Sequence, residues 1–160
     1  MTTDTTAVPA ADSGLSSVAQ IEALADQLSQ CADELHARIM RDMNANQSAG
    51  FSEEQQALAR SLLDEAAVLR QRANGLYADA AALVVKSLGA SQAQLMQLTA
   101  DAGEKIRKIA KIGHVVGLVS GLVMLAGAAA TGQAVPIIVA IEKIRRQSKR
   151  IEALTPKKPA

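Results

Sequence analysis

Aromatic side chains are almost absent from this chain of 160 residues, which has one phenylalanine, Phe51, one tyrosine, Tyr77, and no tryptophan. The scarcity removes the stacking surfaces on which proteins bind single-stranded nucleic acid. It also removes the aromatic belt that usually marks the two edges of a membrane anchor. A single cysteine, Cys31, excludes an intrachain disulfide and fits a reducing compartment. Nucleic acid is therefore a disfavoured partner.

Proline is also scarce, and the composition that remains is typical of an all-α protein. The four prolines lie near the chain ends or at one internal break, and good helix formers dominate elsewhere. The first residues have neither a basic nor an apolar region, so they do not resemble a Sec signal peptide. We expect a bacterial-type protein made in the cytoplasm, with disordered tails over residues 1–15 and 155–160.

Three serines mark helix starts. "SVAQ", "SEEQ" and "SQAQ", which begin at Ser17, Ser52 and Ser91, have the serine-to-glutamine spacing of a capping box. Gly50 and Gly89 precede the second and third starts, where a turn is expected. Together with a fourth start at Pro136, these signals predict four helices, near 17–43, 52–88, 91–130 and 136–154.

The first two helices carry heptad repeats, which predict an antiparallel coiled-coil-like hairpin over residues 16–90. In the second helix, leucines and alanines alternate along one seam: Leu62, Ala66, Leu69, Ala73, Leu76, Ala80 and Leu83. Such a seam favours an unusually close pair of helices. Two interpretations remain open, a rod that recognises another helix and an ordinary intramolecular hairpin.

A long stretch, residues 112–141, has no charged side chain and lies between two basic clusters. As a helix, its first nineteen residues would reach roughly 28 Å, about the thickness of a bilayer's hydrocarbon core, and insertion is favourable only marginally. Glycines at every fourth position predict a close helix contact, a glycine zipper, in lipid or in a bundle. The predicted helix-packing or membrane residues are Gly113, Gly117, Gly121, Leu118, Leu122 and Leu125.

The charge is unevenly distributed. Residues 1–100 hold 6 basic and 12 acidic groups, whereas residues 101–160 hold 11 and 4, so the net charges are −6 and +7. This asymmetry indicates an anionic partner for the C-terminal part. The predicted anionic-surface contacts are Lys105, Lys108, Lys111, Lys143, Arg145, Arg146, Lys149 and Arg150. His114, the one ionisable group in the apolar run, is a candidate for pH-sensitive insertion.

Basic flanks on both sides favour a membrane-associating hairpin over residues 91–154 that dips into the inner membrane from the cytoplasmic side. In architecture alone, long amphipathic helices followed by a Gly/Ala-rich apolar hairpin resemble α-helical pore-forming proteins and type III translocators. We expect a non-enzymatic protein that acts in membrane attachment, helix-mediated assembly or pore-like insertion, and that binds a protein partner or forms a homo-oligomer through its helices.

Catalytic motifs are missing. There is no phosphate-binding loop, no HExxH and no CxxC, and "DELH" at Asp33–His36 would be only half of a di-iron site. We therefore expect no enzyme activity, no cofactor or metal and no small-molecule substrate. The alternative to a membrane protein is a soluble four-helix bundle that acts as an adaptor, chaperone or immunity-type binding module, with 112–130 as its buried core helix.

Overall fold

The computed structural model describes residues 13–46 and 50–154, and within these ranges the only regular elements are helices. The all-α prediction is confirmed, whereas the predicted count of four helices is corrected to five within the described ranges. The α-helices are α1 Val18–Ala45, α2 Glu53–Asp79, α3 Gln92–Lys108, α4 Val116–Ala129 and α5 Ala134–Leu154. Short 3₁₀ turns, Ala80–Leu83 and Ile112–Val115, follow α2 and precede α4.

The helix starts follow the serine signals. Ser52 and Ser91 form complete capping boxes with the glutamines three residues later. Ser17 caps α1 with its hydroxyl, but the side chain of Gln20 accepts from the backbone N–H of Ser16 instead, at 2.7 Å. These caps depend on local spacing alone, which is why the sequence predicted them.

The predicted helix over 91–130 is wrong, because the chain leaves the helix after Lys108 and starts again as α4. Arg38 of α1 supplies the physical reason. Its buried guanidinium donates to the carbonyl oxygens of Ile106 and Arg107 at 3.2 Å and of Ala110 at 3.3 Å. A helix that continued into α4 would need all three carbonyls for its own amides, so the contact with Arg38 takes the place of further helical turns.

The directions of the helices follow from contacts between them. Asp33 contacts Arg70 and Asp26 accepts from Tyr77, so α1 and α2 are antiparallel, as the short connection predicted. The thiol of Cys31 donates to the carbonyl of Thr99 at 3.3 Å, and Arg38 reaches Ile106, so α1 and α3 run parallel.

The last two helices complete a ring. Arg72 of α2 donates to the carbonyl of Val123 at 3.0 Å and Leu58 lies against Gly113, so α2 and α4 run parallel. The α4–α5 pair is antiparallel, because Gly117 lies against Gln147 and Gly121 lies against Ile144. Since α5 also packs on α3, the order around the bundle is α1, α2, α4, α5, α3 and back to α1. The helices α3 and α4 are therefore antiparallel, with α5 between them.

One hydrophobic core runs through all five helices. The seven seam residues of α2 and the 3₁₀ turn after it are all buried, with Leu69, Ala73 and Leu76 at 0% exposure. The core also includes Leu15, which lies within the tail predicted for residues 1–15. Gly14 donates to the carbonyl of Ala90 at 2.7 Å, and Leu15 accepts from the amide of Val85 at 2.8 Å. The remaining tail residues, 1–12 and 155–160, lie outside the described residues.

Candidate functional site: the outer face of the α4–α5 hairpin

The apolar run contains all of α4, which packs between α2 and α5. Ile112–Ala129 is the one stretch of the described chain that is long and apolar enough to cross a membrane, and 56% of it is buried in the fold. Three predicted packing leucines, Leu118, Leu122 and Leu125, have 0% exposure. Length and composition of one such helix suit a core helix of a soluble bundle as well as a membrane segment.

The three zipper glycines face two different neighbours. A Cβ atom added at Gly121 would lie 2.9 Å from Cγ1 of Ile144, and one added at Gly117 would overlap the side-chain amide of Gln147. Gly113 instead points toward Leu58 of α2, at 3.5 Å. In this structure, the close approach allowed by Gly117 and Gly121 is therefore to α5 of the same chain.

On the outer side of the hairpin, two rows of side chains form a surface that we call the outer strip. The α4 row has four-residue spacing and the α5 row has spacings of four and three, so each row lies along one side of its helix. Lys143 Nζ donates to Ser120 Oγ at 3.0 Å and joins the rows. The strip consists of Val116, Ser120 and Met124 from α4, and Val135, Val139, Lys143, Arg146 and Arg150 from α5.

The outer strip is apolar at the hairpin turn and basic at the other end. Val135 is 74% exposed and Val139 is 54% exposed, which are large fractions for valine side chains. The antiparallel register places Met124, which is 38% exposed, beside the turn of α5 that carries Val139. Arg146 and Arg150 form no ion pair with any described residue. The strip thus presents apolar contacts and unneutralised positive charge on one surface.

The other predicted anionic-surface contacts lie elsewhere. Lys149 and Arg145 are on a neighbouring side of α5, next to the strip, where Arg145 pairs with Glu142 at 3.3 Å. On α3, Lys105 pairs with Glu152 at 3.3 Å and Lys108 with Glu104 at 2.7 Å. The hydrogen bond from Lys108 lowers the pKa of the Glu104 carboxyl. Lys111 is exposed in the connection between α3 and α4. Of the eight predicted residues, three share the outer strip.

His114 is exposed in the 3₁₀ turn before α4, away from the buried side of that helix. Its backbone N–H donates to the carbonyl of Lys111 at 3.0 Å. Burial of the imidazole would require this turn to leave its present position. A pH-sensitive insertion through His114 therefore stays a prediction.

Sequence reasoning missed Arg38, the most buried charged side chain of the described chain, with 7% exposure. Asp42 accepts from its Nε through both carboxylate oxygens, at 3.0 and 3.1 Å. The heptad pattern of α1 could have indicated that Arg38 is buried. Arg38 lies three residues after Leu35, at a position where the heptad spacing of α1 places buried side chains. His36 is exposed, and no group of three or more metal-ligating side chains occurs among residues 13–46 and 50–154.

No family of known proteins, no curated protein and no solved structure matches this chain.

Proposed function

We propose that this protein is a non-enzymatic helical bundle that attaches to an anionic membrane surface through the outer strip. The observation that carries the proposal is the continuity of exposed Val135, Val139 and Met124 with Arg146 and Arg150, two cations that form no ion pair with any described residue. Helices that lie at a membrane interface combine these two features: apolar side chains enter the boundary of the acyl chains, and Lys and Arg contact anionic headgroups.

The magnitudes are consistent with reversible attachment. Lys143, Arg146 and Arg150 would contribute about 3 kcal/mol together, at about 1 kcal/mol for each cation near an anionic surface. Burial of an exposed valine or methionine side chain adds up to roughly 1.5–3 kcal/mol when it is complete. Since Val116 and Met124 are already more than half covered, their share is smaller. The resulting affinity would be sensitive to salt and to the content of anionic lipid.

The fold supports surface attachment more than a membrane span. To span the bilayer as one α-helix, Ile112–Ala129 would have to convert the 3₁₀ turn Ile112–Val115 into α-helix, and its 18 residues would then reach about 27 Å, against about 30 Å for the hydrocarbon core. A hairpin inserted deeply into the bilayer would also have to leave α2, because Leu122, Leu125 and Ala126 are completely buried in the bundle. Attachment through the outer strip needs neither change. We place this attachment at the cytoplasmic side of the inner membrane.

Vesicle flotation tests the proposal. Detergent-free protein should float with anionic vesicles and remain at the bottom with neutral vesicles, and high salt should weaken the flotation. Lys143→Glu/Arg146→Glu should abolish it, because both substitutions put negative charge on the outer strip. The matched control, Arg145→Glu/Lys149→Glu, makes the same change in net charge on the neighbouring side of α5 and should float more than the strip variant. Equal loss in both variants would show that net charge alone is responsible.

The burial of 56% of the apolar run favours a second candidate, a soluble bundle that binds a protein partner. In that case α4 is a core helix, and the outer strip contacts a partner with an acidic, partly apolar surface. Folded protein that never floats with anionic vesicles, at any salt concentration, would overturn the membrane proposal and favour this adaptor-like function.

A further inference from the structure

The connection between α3 and α4, residues 109–115, turns the chain without any residue that requires a turn. We call these residues the hinge. Ile109 and Lys111 are extended, with φ and ψ of −58° and 139° and of −116° and 115°. The hinge has no proline, and Gly113 is not among the glycines with positive φ, which are Gly50, Gly89 and Gly132. Ala110 and Lys111 favour a helix, and although Gly113 and the β-branched residues of the hinge favour it less, none of them ends one. The rest of the fold therefore imposes the turn.

The main contact that holds the hinge is Arg38. In a continuous helix the carbonyl oxygens of Ile106 and Arg107 would accept from the amides of Ala110 and Lys111. Arg38 Nη1 donates to both oxygens at 3.2 Å, and Arg38 Nη2 donates to the carbonyl of Ala110 at 3.3 Å. Arg41 adds one exposed hydrogen bond to Arg107, at 3.1 Å. Arg38 thus occupies the acceptors that would let α3 continue into α4.

We propose that the hinge opens by joining α3 and α4 into one helix, and that the opened chain exchanges its α4–α5 hairpin with a second copy of itself. Domain swapping of this kind needs no new interface. Each hairpin packs on helices α1, α2 and α3 of the other copy and makes there the contacts that it now makes within its own chain. The core contacts of α4 with α2, and of α5 with α3, are kept. The hinge gains helical hydrogen bonds, and the contacts between Arg38 and the three carbonyls are lost.

The directions of the helices permit this exchange. Two joined helices related by a twofold axis through the hinge run antiparallel to each other. In each half of the dimer, α3 of one copy then lies antiparallel to α4 of the other copy, which is the orientation that α3 and α4 have within the single bundle. The joined helix, residues 92–129, would be about 57 Å long.

The middle of the hinge is loosely packed. A cleft of 540 Å³ lies on one side of it and a cleft of 460 Å³ on the other, and both are lined by Ala110, Lys111 and His114. These three residues are exposed. The two ends of the hinge are held more firmly, because Val115 is completely buried and Ile109 and Ile112 pack against the core, so straightening has to move these three apolar side chains.

The test compares variants by light scattering after size exclusion, with protein stored at about 10 µM to about 1 mM, because dimers form by mass action. Arg38→Met should raise the dimer fraction about tenfold or more over wild type, since it removes a buried charged hydrogen-bond network that only the monomer uses. Arg41→Met is the matched control and should have a much smaller effect. Ala110→Pro in the Arg38→Met background should remove the dimer, because proline deletes the amide needed by the joined helix and favours the extended Ile109 already present.

Hydrogen exchange identifies a swapped dimer. In the dimer the amides of Ala110 and Lys111 should exchange at least about tenfold more slowly than in the monomer, with helical Cα chemical shifts. A dimer with unchanged hinge amides, or a folded Arg38→Met protein that stays monomeric at the highest concentration, would overturn the proposal. If Arg38→Met does not fold, Asp42→Ala, which removes the carboxylate that orients Arg38, takes its place with the same two outcomes. Neither measurement uses lipid, so the result is independent of the proposed membrane attachment.

Discussion

Gly121 provides a direct test of the close contact between α4 and α5. In the Gly121→Ala variant the added methyl group would lie 2.9 Å from Cγ1 of Ile144 and 3.6 Å from its backbone nitrogen and Cα atom. Ile144 is completely buried, and its branched side chain has little freedom to move away. The α4 and α5 backbones would therefore have to separate slightly. The suitable control is Gly75→Ala, because Gly75 lies within α2 and a methyl group there would have no neighbour within 4 Å.

The two substitutions share a gain in helix propensity but differ in packing, so their effects on the free energy of unfolding should differ. Alanine stabilises the interior of a helix by about 1 kcal/mol relative to glycine, so Gly75→Ala should raise the free energy of unfolding by roughly 0.5–1 kcal/mol. Gly121→Ala has the same helix-propensity benefit, but overpacking lowers the free energy of unfolding by about 1–3 kcal/mol. The two variants should therefore differ by about 1–3 kcal/mol, with Gly121→Ala the less stable.

Urea unfolding followed by far-ultraviolet circular dichroism measures both variants, and thermal unfolding gives a second reading. For a chain of this length, a difference of 1 kcal/mol shifts the Tm by about 2–4 °C. If Gly121→Ala proves as stable as Gly75→Ala, then α5 does not approach α4 closely at Gly121, and the reasoning about the zipper glycines is refuted.

Three other predictions concern the core. Ala66→Leu should lower the free energy of unfolding by about 1–3 kcal/mol through overpacking, whereas Ala67→Leu, at an exposed position, should be near neutral; equal urea midpoints would contradict the buried seam. Burial raises the pKa of the Cys31 thiol from 9.0 to about 12. Above about pH 9 the thiol therefore ionises in the unfolded chain before it ionises in the folded one. Between about pH 9 and pH 12, wild type should lose up to ~1.4 kcal/mol of unfolding free energy per pH unit relative to the Cys31→Ala variant. If the stabilities of the two proteins change with pH in parallel, this prediction is wrong. Leu15→Ala should cost about 2–5 kcal/mol, because Leu15 has 0% exposure, and an unchanged melting temperature would show that residues 13–15 are not part of the core.

Local signals in the sequence predicted local structure well. The capping boxes at Ser52 and Ser91 require only residues three positions apart, and both helix starts are where the spacing put them. The seam of α2 is buried because heptad spacing keeps one side of a helix toward its neighbour. These features are encoded within single helices, so periodicity and capping chemistry are enough to find them.

The end of α3 could not be predicted in the same way. Nothing between Lys108 and Gly113 forbids a helix, and the contact that ends it comes from Arg38, 68 residues before Ile106. The outer strip was also missed as a unit. Its exposed members Val135 and Val139 lie on the side of α5 opposite the isoleucines, which were the residues that the apolar pattern of this helix singled out. The basic residues of α5 form one cluster in the sequence, whereas in the fold Lys143 and Arg146 lie on the outer strip and Arg145 and Lys149 lie beside it.

The ring order of the helices has a consequence for synthesis on the ribosome, where the chain emerges from its N-terminus. The α1–α2 pair can form as soon as both helices have emerged, but the sides of α1 and α2 that face α3 and α4 then have no cover. The helix α3 covers α1, α4 covers α2, and α5 packs on both α3 and α4. A nascent chain therefore carries uncovered apolar surface until residues near Leu154 have left the exit tunnel, which makes the last helix the step that protects the whole bundle from aggregation.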